Sequence, residues 1–513
     1  MQNGKNQNMK LEVPSKAPKS KELYDYQKDN IDKVFDKIEN KASNYNLVFQ
    51  LPTGGGKTVI FSEIARRFIR EKEKKVLILT HRIELSSQTS KMLDEFGVAN
   101  KVITSDVKSL DDQDEYMCFV AMVETLKNRL NDDLLDMNDI SMVIIDEAHY
   151  NSFRKLFKYF QECFILGVTA TPLSSNIKLP MNEIYDELLV GEPISTLIER
   201  GFLAKATTYT YDVALGGLKV GINGDYTVKS SDDLYTSNIM QDKLLSAYVE
   251  KSLGKKTLIF NNGINTSWHV YDTFKAAGYN NVRHLDNTFS KQERIEILKW
   301  FKETPDAILT SVSILTTGFD EPSVETIILN RATKSITLYY QMIGRGSRVF
   351  KNKKEFNVID LGNNAARFGL WSAPINWKRI FKSPDYYLDN LINDEEIERQ
   401  FVYDMPKEIR EKFAKTEDIT FKVKEEYDKA IKRGIKSKIV LDKSVEQHAQ
   451  MCYENAEDVF DARDLAILLD DDIKDRIKKY SHYMIKSTKN YIMWLEEDYK
   501  RKLNTAINMK FKE

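Results

Sequence analysis

The densest group of residues with chemical potential is LPTGGGKT, at residues 51–58. It lies between a strand-like apolar run and a helix-like segment, which is the setting of a phosphate-binding loop. Successive glycines allow backbone N–H groups to turn toward a polyphosphate, and the helix start adds its positive dipole end. Lys57 is then expected to meet the β and γ phosphates and Thr58 to bind Mg²⁺. Leu51 stands where the general pattern has glycine, and the alternative is a Gly-rich turn before an ordinary helix.

Two adjacent carboxylates follow an apolar run in MVIIDEAH, at residues 142–149. The run predicts a buried parallel strand, and ligands of open α/β sheets bind beyond the carboxyl ends of strands. Asp146 is therefore expected to bind Mg²⁺, and Glu147 to orient and polarise an attacking water. Taken alone, an acidic pair after a strand is equally typical of an acidic helix start.

Two arginines stand three residues apart in QMIGRGSR, at residues 341–348. On a helix this spacing directs both side chains to one face. Positive charge beside a γ-phosphate accelerates phosphoryl transfer by roughly 10³- to 10⁵-fold in related enzymes. Without other motifs, the same pattern more often marks a solvated helix face.

The elements that must position these residues form two series of strands alternating with helices. The first series contains the runs NLVFQL, KVLILT, MCFVAM, MVIID and FILGVTATP, and the second contains KTLIF, VRHLD, AILTS, VETIILN and FNVIDL. Such alternation predicts parallel sheets with crossover helices. Between the series the periodicity weakens and glycines cluster, which indicates a connecting segment with a hairpin around GINGDYTV.

In this order the motifs resemble those of superfamily 2 helicases and translocases of the DEAH-box type. In the first half, LPTGGGKT is similar to motif I, LTHRIELSSQ to motif Ia, VAMVETL to the segment that grips the tracking strand, DEAH to motif II and TATP to motif III. In the second half, KTLIFNNGINTSWHV resembles motif IV, ILTSVSILTTGFDEP motif V and QMIGRGSR motif VI. The resemblance covers residues 21–368 and is closest to RadD-type bacterial and phage DNA-repair ATPases.

The resemblance implies an α/β fold of two tandem RecA-like parallel-sheet P-loop domains followed by a mostly helical C-terminal domain. The expected division is a flexible basic arm over 1–20, RecA-like domain 1 over 21–190, a connecting segment over 191–247, RecA-like domain 2 over 248–368 and the helical domain over 369–513.

It also implies roles for single residues. The catalytic group would be Lys57, Glu147, Gln341, Arg345 and Arg348. The nucleotide would be held by Gln27, which reads the adenine edge, and by Thr53, Gly54, Gly55, Gly56, Lys57, Thr58, Asp146, His149, Gly318 and Asp320. Mg²⁺ would be held by Thr58 and Asp146. The nucleic-acid contacts would be Arg82, Thr125, Thr310, Ser311 and Thr316, and the residues that couple the two sites would be Thr169 and Thr171.

The amino-acid composition limits the classes of protein to which this chain can belong. The 513 residues carry 76 Lys and Arg against 77 Asp and Glu, a net charge of -1, so nucleic-acid binding must come from a local groove. No window approaches the roughly 18 apolar residues of a membrane span, and the N-terminus lacks an apolar signal core, so a cytoplasmic location is expected. The three cysteines are widely separated, which argues against a disulfide framework and a zinc site.

The resemblance implies an ATP- and Mg²⁺-dependent helicase or translocase that acts on nucleic acid, with DNA favoured over RNA, in replication, recombination or repair. A duplex translocase that does not separate strands uses the same motifs, and an ATP-gated nucleic-acid-binding scaffold is a further alternative. A metabolic kinase or GTPase is disfavoured, because neither accounts for QMIGRGSR after a second α/β unit.

The C-terminal part has its own candidate features. The segment IKRGIKSKIVLDK, at residues 431–443, is locally basic. Aromatic side chains can stack on nucleic-acid bases, and the candidates here are Tyr491, Trp494 and Tyr499. A solvated helix face and a helix core are the alternatives. The helical domain is accordingly expected to dock either nucleic acid or a protein partner.

Overall fold

The computed structural model describes residues 22–39, 41, 44–107, 109, 113–131, 139–176, 178–312, 314–316, 319–394, 397, 405–481 and 489–512. The predicted basic arm over 1–20 and Gly318 lie outside the described residues. The chain divides into two compact units, Met1–Leu197 with Pro374–Leu388, and Ile198–Ala373 with Asp389–Glu513.

The first unit is built on a seven-stranded sheet in the order β3-β4-β2-β5-β6-β1-β7, in which every pairing is parallel. Its strands are β1 (Asn46–Gln50), β2 (Lys75–Thr80), β3 (Asn100–Ile103), β4 (Cys118–Met122), β5 (Ile140–Asp146), β6 (Phe164–Thr169) and β7 (Glu187–Val190). Its first helices are α1 (Asp25–Glu39), α2 (Lys57–Lys72), α3 (Ile83–Glu95) and α4 (Val123–Asn131). Apolar strand residues such as Phe49 and Ile144 pack with Ile64 of α2 in one core, as parallel sheets covered by helices require.

The second unit contains a six-stranded parallel sheet in the order β10-β11-β9-β12-β13-β8. Its strands are β8 (Lys205–Thr210), β9 (Thr257–Asn261), β10 (Val282–Leu285), β11 (Ile308–Val312), β12 (Thr326–Asn330) and β13 (Glu355–Asp360). The helices along this part of the chain are α5 (Ile194–Glu199), α6 (Val228–Tyr235), α7 (Asn238–Ser252), α8 (Ile264–Ala276), α9 (Lys291–Glu303), α10 (Ile336–Gly344) and α11 (Asn364–Phe368).

The segment 191–247, expected only to connect the two series, contributes the edge strand of the second sheet. β8 pairs with β13 in parallel from Lys205–Glu355 to Thr210–Asp360. Its residues are only partly buried, so it lacks the apolar run that marks a central strand. The hairpin predicted around GINGDYTV is present as an antiparallel bridge between Val220 and Tyr226.

The helices after residue 405 enclose an apolar core of their own. They are α14 (Lys407–Lys412), α15 (Val423–Lys432), α16 (Ile439–Asn455), α17 (Val459–Leu468), α18 (Asp470–Ser481) and α19 (Lys489–Lys510). The fold class, two parallel sheets with a helical C-terminal part, is thereby confirmed. Among the described residues, no helix combines the length and low charge of a membrane span.

The start of the predicted helical domain at residue 369 differs from the observed division. Residues 374–388 contain α12 (Trp377–Lys382) and the start of α13 (Pro384–Asp389), and they group with the first unit. The Asn182 side-chain amide donates to the Lys382 carbonyl oxygen at 3.3 Å, and Trp377 and Phe381 are buried. The sequence of a short amphipathic helix does not indicate which surface the helix covers. The grouping of residues 374–388 with the first unit was therefore not predicted.

Candidate nucleotide site and its links

Sheet order brings three of the predicted motifs to one edge of the first unit. β1, β6 and β5 are adjacent, and their carboxyl ends carry the Gly-rich loop, Thr169 and Asp146 respectively. The Leu51 amide donates to the Thr169 carbonyl oxygen at 3.0 Å, which extends the β1–β6 pairing into the loop. The carboxyl edge of a parallel sheet is where α/β folds bind ligands.

The loop has the backbone of an anion cradle. Gly54 and Gly56 adopt φ values of 88° and 84°, a left-handed conformation that side chains disfavour. α2 begins at Lys57, no side chain caps its N-terminus and its first turn contains no acidic residue. Its first N–H groups are therefore available to an anion, and the helix dipole favours negative charge at this point.

Helix α1 contacts this loop through two of its residues, Tyr26 and Gln27. The Tyr26 hydroxyl donates to the Gly55 carbonyl oxygen at 2.9 Å, and both residues are buried. A Cβ atom added at Gly56 would lie 2.6 Å from the Gln27 Nε2 atom, so the Gln27 amide lies directly against the loop. Gln27 Oε1 accepts from the Tyr24 backbone N–H at 3.0 Å. The predicted adenine contact of Gln27 stays a prediction, whereas the role of Tyr26 was not foreseen.

Asp146 of the acidic pair interacts electrostatically with Lys57. Asp146 is buried, and the Glu147 backbone N–H donates to its Oδ1 atom at 3.0 Å. Burial, and then the neighbouring Glu147 carboxylate, raise the pKa of Asp146, while the positive charge of Lys57 opposes that rise. Glu147 has a φ of 54°, a strained conformation for a residue with a side chain and one that clusters at functional sites.

His149 connects the acidic pair to the predicted coupling residues. Its Nδ1 atom lies 3.4 Å from Glu147 Oε2 and 3.0 Å from the Thr169 hydroxyl oxygen. The Thr169 hydroxyl accepts from the Thr171 backbone N–H at 3.2 Å. Burial lowers the pKa of His149, so the ring is neutral at physiological pH. The Glu147 carboxylate therefore lies beside His149, and hydrogen bonds continue from His149 through Thr169 to Thr171.

A stack of three rings, not predicted from the sequence, extends these contacts to motif Ia. The Tyr150 ring centroid lies 4.3 Å from that of His149 and 4.4 Å from that of His81. Burial lowers the pKa of His81 to about 4, and its two ring nitrogens have no hydrogen-bond partner among the described groups. Tyr150 directly follows DEAH and His81 directly precedes Arg82, but periodicity does not indicate that they meet.

The predicted strand contacts of the first unit lie at the same sheet edge. Arg82 is the N-cap residue of α3, after β2, and Thr125 lies in the first turn of α4, after β4. β2 and β4 are neighbours in the sheet. Both side chains are half-buried.

The two arginines of the second unit are not on a helix, which corrects the helical-face argument. α10 ends at Gly344, before Arg345, because the chain turns there and Arg348 forms an antiparallel bridge with Leu203. Gly346 permits this turn, since a Cβ atom at that position would lie 2.3 Å from the Phe356 ring.

The motif V loop engages both arginines. The Arg345 guanidinium donates to the carbonyl oxygens of Thr316 and Phe319. Arg348 pairs with the Asp320 carboxylate at 3.0 Å, and this pair is about half exposed to solvent. Gln341 is buried on α10, and its Nε2 atom has no partner among the described groups.

Two predicted nucleic-acid contacts of the second unit have buried side chains. Thr310 and Ser311 are both fully buried in β11, and the Thr310 hydroxyl bonds the Asn261 amide and the Ser267 hydroxyl at 2.8 Å each. The sheet therefore encloses both side chains, and the two contacts stay predictions. Thr316, in the loop beyond β11, is also largely buried.

The oxygen donors fit a magnesium ion better than a softer metal. The described residues contain no cluster of three or more His, Cys, Asp and Glu side chains suited to a metal. Mg²⁺ characteristically uses one or two protein oxygens together with phosphate and water ligands. The Thr58 hydroxyl and the Asp146 carboxylate, whose pKa is raised by burial and by the neighbouring Glu147, are such donors.

Comparison with known families adds an independent finding. Residues 20–174 match the family described as type III restriction enzyme, res subunit, and residues 240–350 match the helicase conserved C-terminal domain. These ranges contain the Gly-rich loop, the acidic pair and, at their end, the two arginines.

Curated relatives point the same way. The chain is 31% identical to the Saccharomyces cerevisiae protein described as ATP-dependent helicase IRC3, over 69% of this chain and 53% of that protein. It is 28% identical to a 51.5 kDa protein of a Lactococcus phage, over 65% and 70%. It is 24% identical to the EcoAI type I restriction endonuclease subunit of Escherichia coli, over 65% and 45%. The chain thus spans about half the length of the first and third of these relatives. None of these three carries the RadD name, so that narrower resemblance stays a prediction.

Solved structures support the fold. An HsdR-subunit fragment of a type I restriction enzyme from Vibrio vulnificus gives a TM-score of 0.53 at 21% identity, over 66% of this chain and 64% of that one. The type ISP restriction-modification enzyme LlaBIII gives 0.50 at 14% identity, over 95% and 43%. The two family models together match just over half of the chain, and with the curated relatives and the order of the motifs they show that the chain belongs to superfamily 2 of the helicases.

Proposed function

We propose that the protein is an ATP-driven motor that moves along nucleic acid, with DNA as its track. The observation that carries the proposal is the joining of the acidic pair, by way of His149, to Thr169 and Thr171 at the sheet edge that also holds the phosphate loop. A site built only for storing nucleotide would need no such connection. A ligand that binds one conformation more tightly than another drives a motion, and this polar chain is a route for that difference.

The nucleotide is held by the backbone N–H groups of the loop and by Lys57. Thr58 and Asp146 hold the magnesium ion, which neutralises phosphate charge when bound. Gln27, pressed against Gly56, is available to the base. Supporting this assignment, the α2 N-terminus carries neither a capping side chain nor a first-turn acid.

Hydrolysis requires a positioned water and positive charge near the γ-phosphate. Glu147 orients and polarises the water, and its carboxylate is held close to the neutral His149 ring. Arg345 and Arg348 supply the positive charge, as arginine fingers do in related phosphoryl transfers. The contacts of both arginines with the motif V loop would then make that loop respond to the nucleotide.

The track is assigned from two further supports. Arg82 and Thr125 follow neighbouring strands, where they suit the phosphate backbone of one bound strand. Among similar proteins, LlaBIII is described as bound to DNA, and others are named restriction endonuclease subunits. These relatives favour DNA over RNA.

Steady-state ATP turnover tests the proposal directly. Purified protein would be assayed with no polymer, single-stranded DNA, closed circular duplex, forked DNA and RNA, each beside the Glu147→Gln variant. We expect stimulation by DNA that disappears in the variant and weakens between about 50 and 200 mM salt, because counterion release dominates phosphate binding. Flat turnover across all polymers would reject the motor and favour the ATP-gated scaffold.

A strand-displacement assay on the forked substrate then separates the two kinds of motor. Displacement of the labelled strand is expected of a helicase. Stimulation by closed circular duplex without displacement on the fork would instead assign a duplex translocase.

A further inference from the structure

A cluster of exposed rings and cations lies on the helical domain, after the helicase motifs in sequence. Tyr491 and Trp494 stand three residues apart on α19, with ring centroids 5.5 Å apart and an interplanar angle of only 13°. Their exposed fractions are 37% and 45%. Large rings are usually placed in cores, so two near-parallel rings that are both partly exposed to solvent are unusual.

Tyr499, the third ring predicted to stack on bases, does not belong to this surface. It is buried, and its hydroxyl bonds the His448 Nδ1 atom at 2.9 Å and the Ser444 hydroxyl at 2.8 Å. The helix-core alternative is the correct one for Tyr499.

The loop between α15 and α16 brings positive charge to the two rings. Residues 432–438, here named the basic loop, contain four cationic side chains and no carboxylate. Lys438 Nζ lies 4.7 Å from the centroid of the Trp494 ring. On the other side of the loop tip, the Ser437 hydroxyl lies 3.1 Å from the Tyr480 hydroxyl. The basic loop is therefore held against the start of α19.

Most of this charge is not neutralised within the described protein. Lys438 pairs with Asp498 at 3.4 Å, but Lys432, Arg433 and Lys436 are exposed and have no ion pair with a described carboxylate. Like charges held side by side attract a polyanion and are screened by salt.

We propose that the Tyr491–Trp494 pair and the basic loop form a second nucleic-acid site, one that holds an unpaired strand by base stacking and phosphate contact. This inference rests on the proposed function, because it assumes that the protein binds nucleic acid and names a second place where a strand is held. Rings that stack on bases, interleaved with cations that follow the backbone, are the usual means of binding single strands without reading sequence. Three of the four cations have no ion pair with a described carboxylate, and this excess of positive charge favours a polyanionic strand over a protein partner.

Binding of a fluorescein-labelled dT oligonucleotide to the full chain, without nucleotide, tests the site by anisotropy. Tyr491→Ala/Trp494→Ala should weaken binding at least about fivefold, the lower limit for loss of base stacking. Trp494→Phe should retain most of the affinity, because it keeps a ring. Arg433→Ala/Lys436→Ala should reduce the slope of log affinity against log salt by about 1.4.

A matched control comes from the same domain. Phe460 is 69% exposed on α17, and neighbouring Arg463 donates to Asn508, which lies about 20 Å from Trp494 along α19. Phe460→Ala/Arg463→Ala removes an exposed ring and a cation there, and should leave oligonucleotide affinity and basal ATP turnover unchanged.

The outcomes are distinct. Unchanged dT affinity in Tyr491→Ala/Trp494→Ala would overturn the site, as would an equal loss in the Phe460→Ala/Arg463→Ala control. An equal loss on a blunt duplex would overturn stacking on unpaired bases, since a duplex exposes base faces only at its two ends. If binding depends on Trp494 while no polymer stimulates ATP turnover, the motor fails and this site stands. If a polymer stimulates ATP turnover but dT binding does not depend on Trp494, the proposed second site is rejected and the motor stands.

Discussion

Tyr26 and Gly55 are joined by a buried hydrogen bond, in which the Tyr26 hydroxyl donates to the Gly55 carbonyl oxygen at 2.9 Å. Gly55 lies between two glycines with left-handed backbone, so this bond restrains a part of the phosphate loop whose glycines permit many backbone conformations. α1 therefore restrains the shape of the loop.

Removal of this hydroxyl should weaken nucleotide binding. Tyr26→Phe keeps the buried ring but loses one hydrogen bond worth about 1 kcal/mol, so the KM for ATP should rise about fivefold. Tyr45→Phe is the control, because the Tyr45 hydroxyl bonds Glu187 elsewhere in the same unit. Equal KM values for Tyr26→Phe and wild-type protein would show that the loop holds its shape without α1.

Lys57 and Glu147 should affect different steps. Lys57→Ala should abolish detectable ATP binding, since it removes the phosphate cation. Glu147→Gln should still bind ATP but turn it over at least about 100-fold more slowly, because an amide is a poor general base. Binding would be measured with a fluorescent ATP analogue and turnover by phosphate release. Wild-type turnover in either variant would reject the site, and Glu162→Gln, an exposed position, is the control.

Arg348 should matter for turnover far more than for binding. Arg348→Ala removes a half-exposed pair with Asp320, which costs at most about 1 kcal/mol of stability. Turnover at saturating ATP should nevertheless fall by about 10³-fold. Arg348→Lys should restore little, because an ammonium cannot reproduce the guanidinium fork. Arg283→Ala, on the exposed face of β10, should behave as wild-type, and similar turnover in the Arg348→Ala and Arg283→Ala proteins would remove Arg348 from this role.

The Tyr150 ring should support His149 in the polar chain. Tyr150→Leu removes two ring contacts, each worth about 0.5–1.5 kcal/mol, and should lower DNA-stimulated turnover about two- to tenfold. Tyr150→Phe keeps the ring and should remain close to wild-type. If Tyr150→Leu and Tyr150→Phe give the same stimulated rate, the ring stack has no part in turnover.

The helical domain should lose stability as the pH falls below neutrality. His448 is buried, and burial lowers its pKa to about 4 although its Nε2 atom bonds Asp472 at 2.7 Å; Arg476 opposes protonation as well. An unfolded histidine titrates near about 6.5. Between these two values the unfolded state binds more protons, so stability is present above about pH 6.5 and is lost as the pH falls toward 4.

Hydrogen exchange of α16 and α19 at pH 7 and pH 5, corrected for intrinsic rates, measures this loss. The pH-dependent part should shrink in His448→Gln and persist in His269→Gln, since His269 is exposed. The same pH dependence in wild-type protein and His448→Gln would assign it to other groups.

Local patterns predicted most of the fold but missed the elements whose character depends on their neighbours. The central strands are apolar runs with flanking turns, so each was located to within a few residues. β8 was missed because an edge strand needs no continuous apolar run. The end of α10 before Arg345 was also missed. The turn there brings Gly346 so close to the Phe356 ring that no side chain would fit, and Phe356 is ten residues further along the chain.

Burial also separated residues that the sequence treated alike. Thr310 and Ser311 at the end of β11, and Tyr499 on α19, were candidates for nucleic-acid contact and lie inside the protein. Trp494, five residues before Tyr499, lies on the surface. A residue type and its spacing indicate what a side chain can do, whereas its exposure depends on which elements cover it.

The sequence by itself determined the chemistry that the chain carries, because glycine, lysine and acidic residues at fixed spacing specify a local backbone and its charges. LPTGGGKT and DEAH are complete as local signals. Only the tertiary structure decided that they meet. Crossover connections order the strands as β5-β6-β1, which brings ends more than ninety residues apart in sequence to one edge. The same long-range packing brought Tyr26 to Gly55 and Tyr150 to His81, contacts that no local pattern encodes.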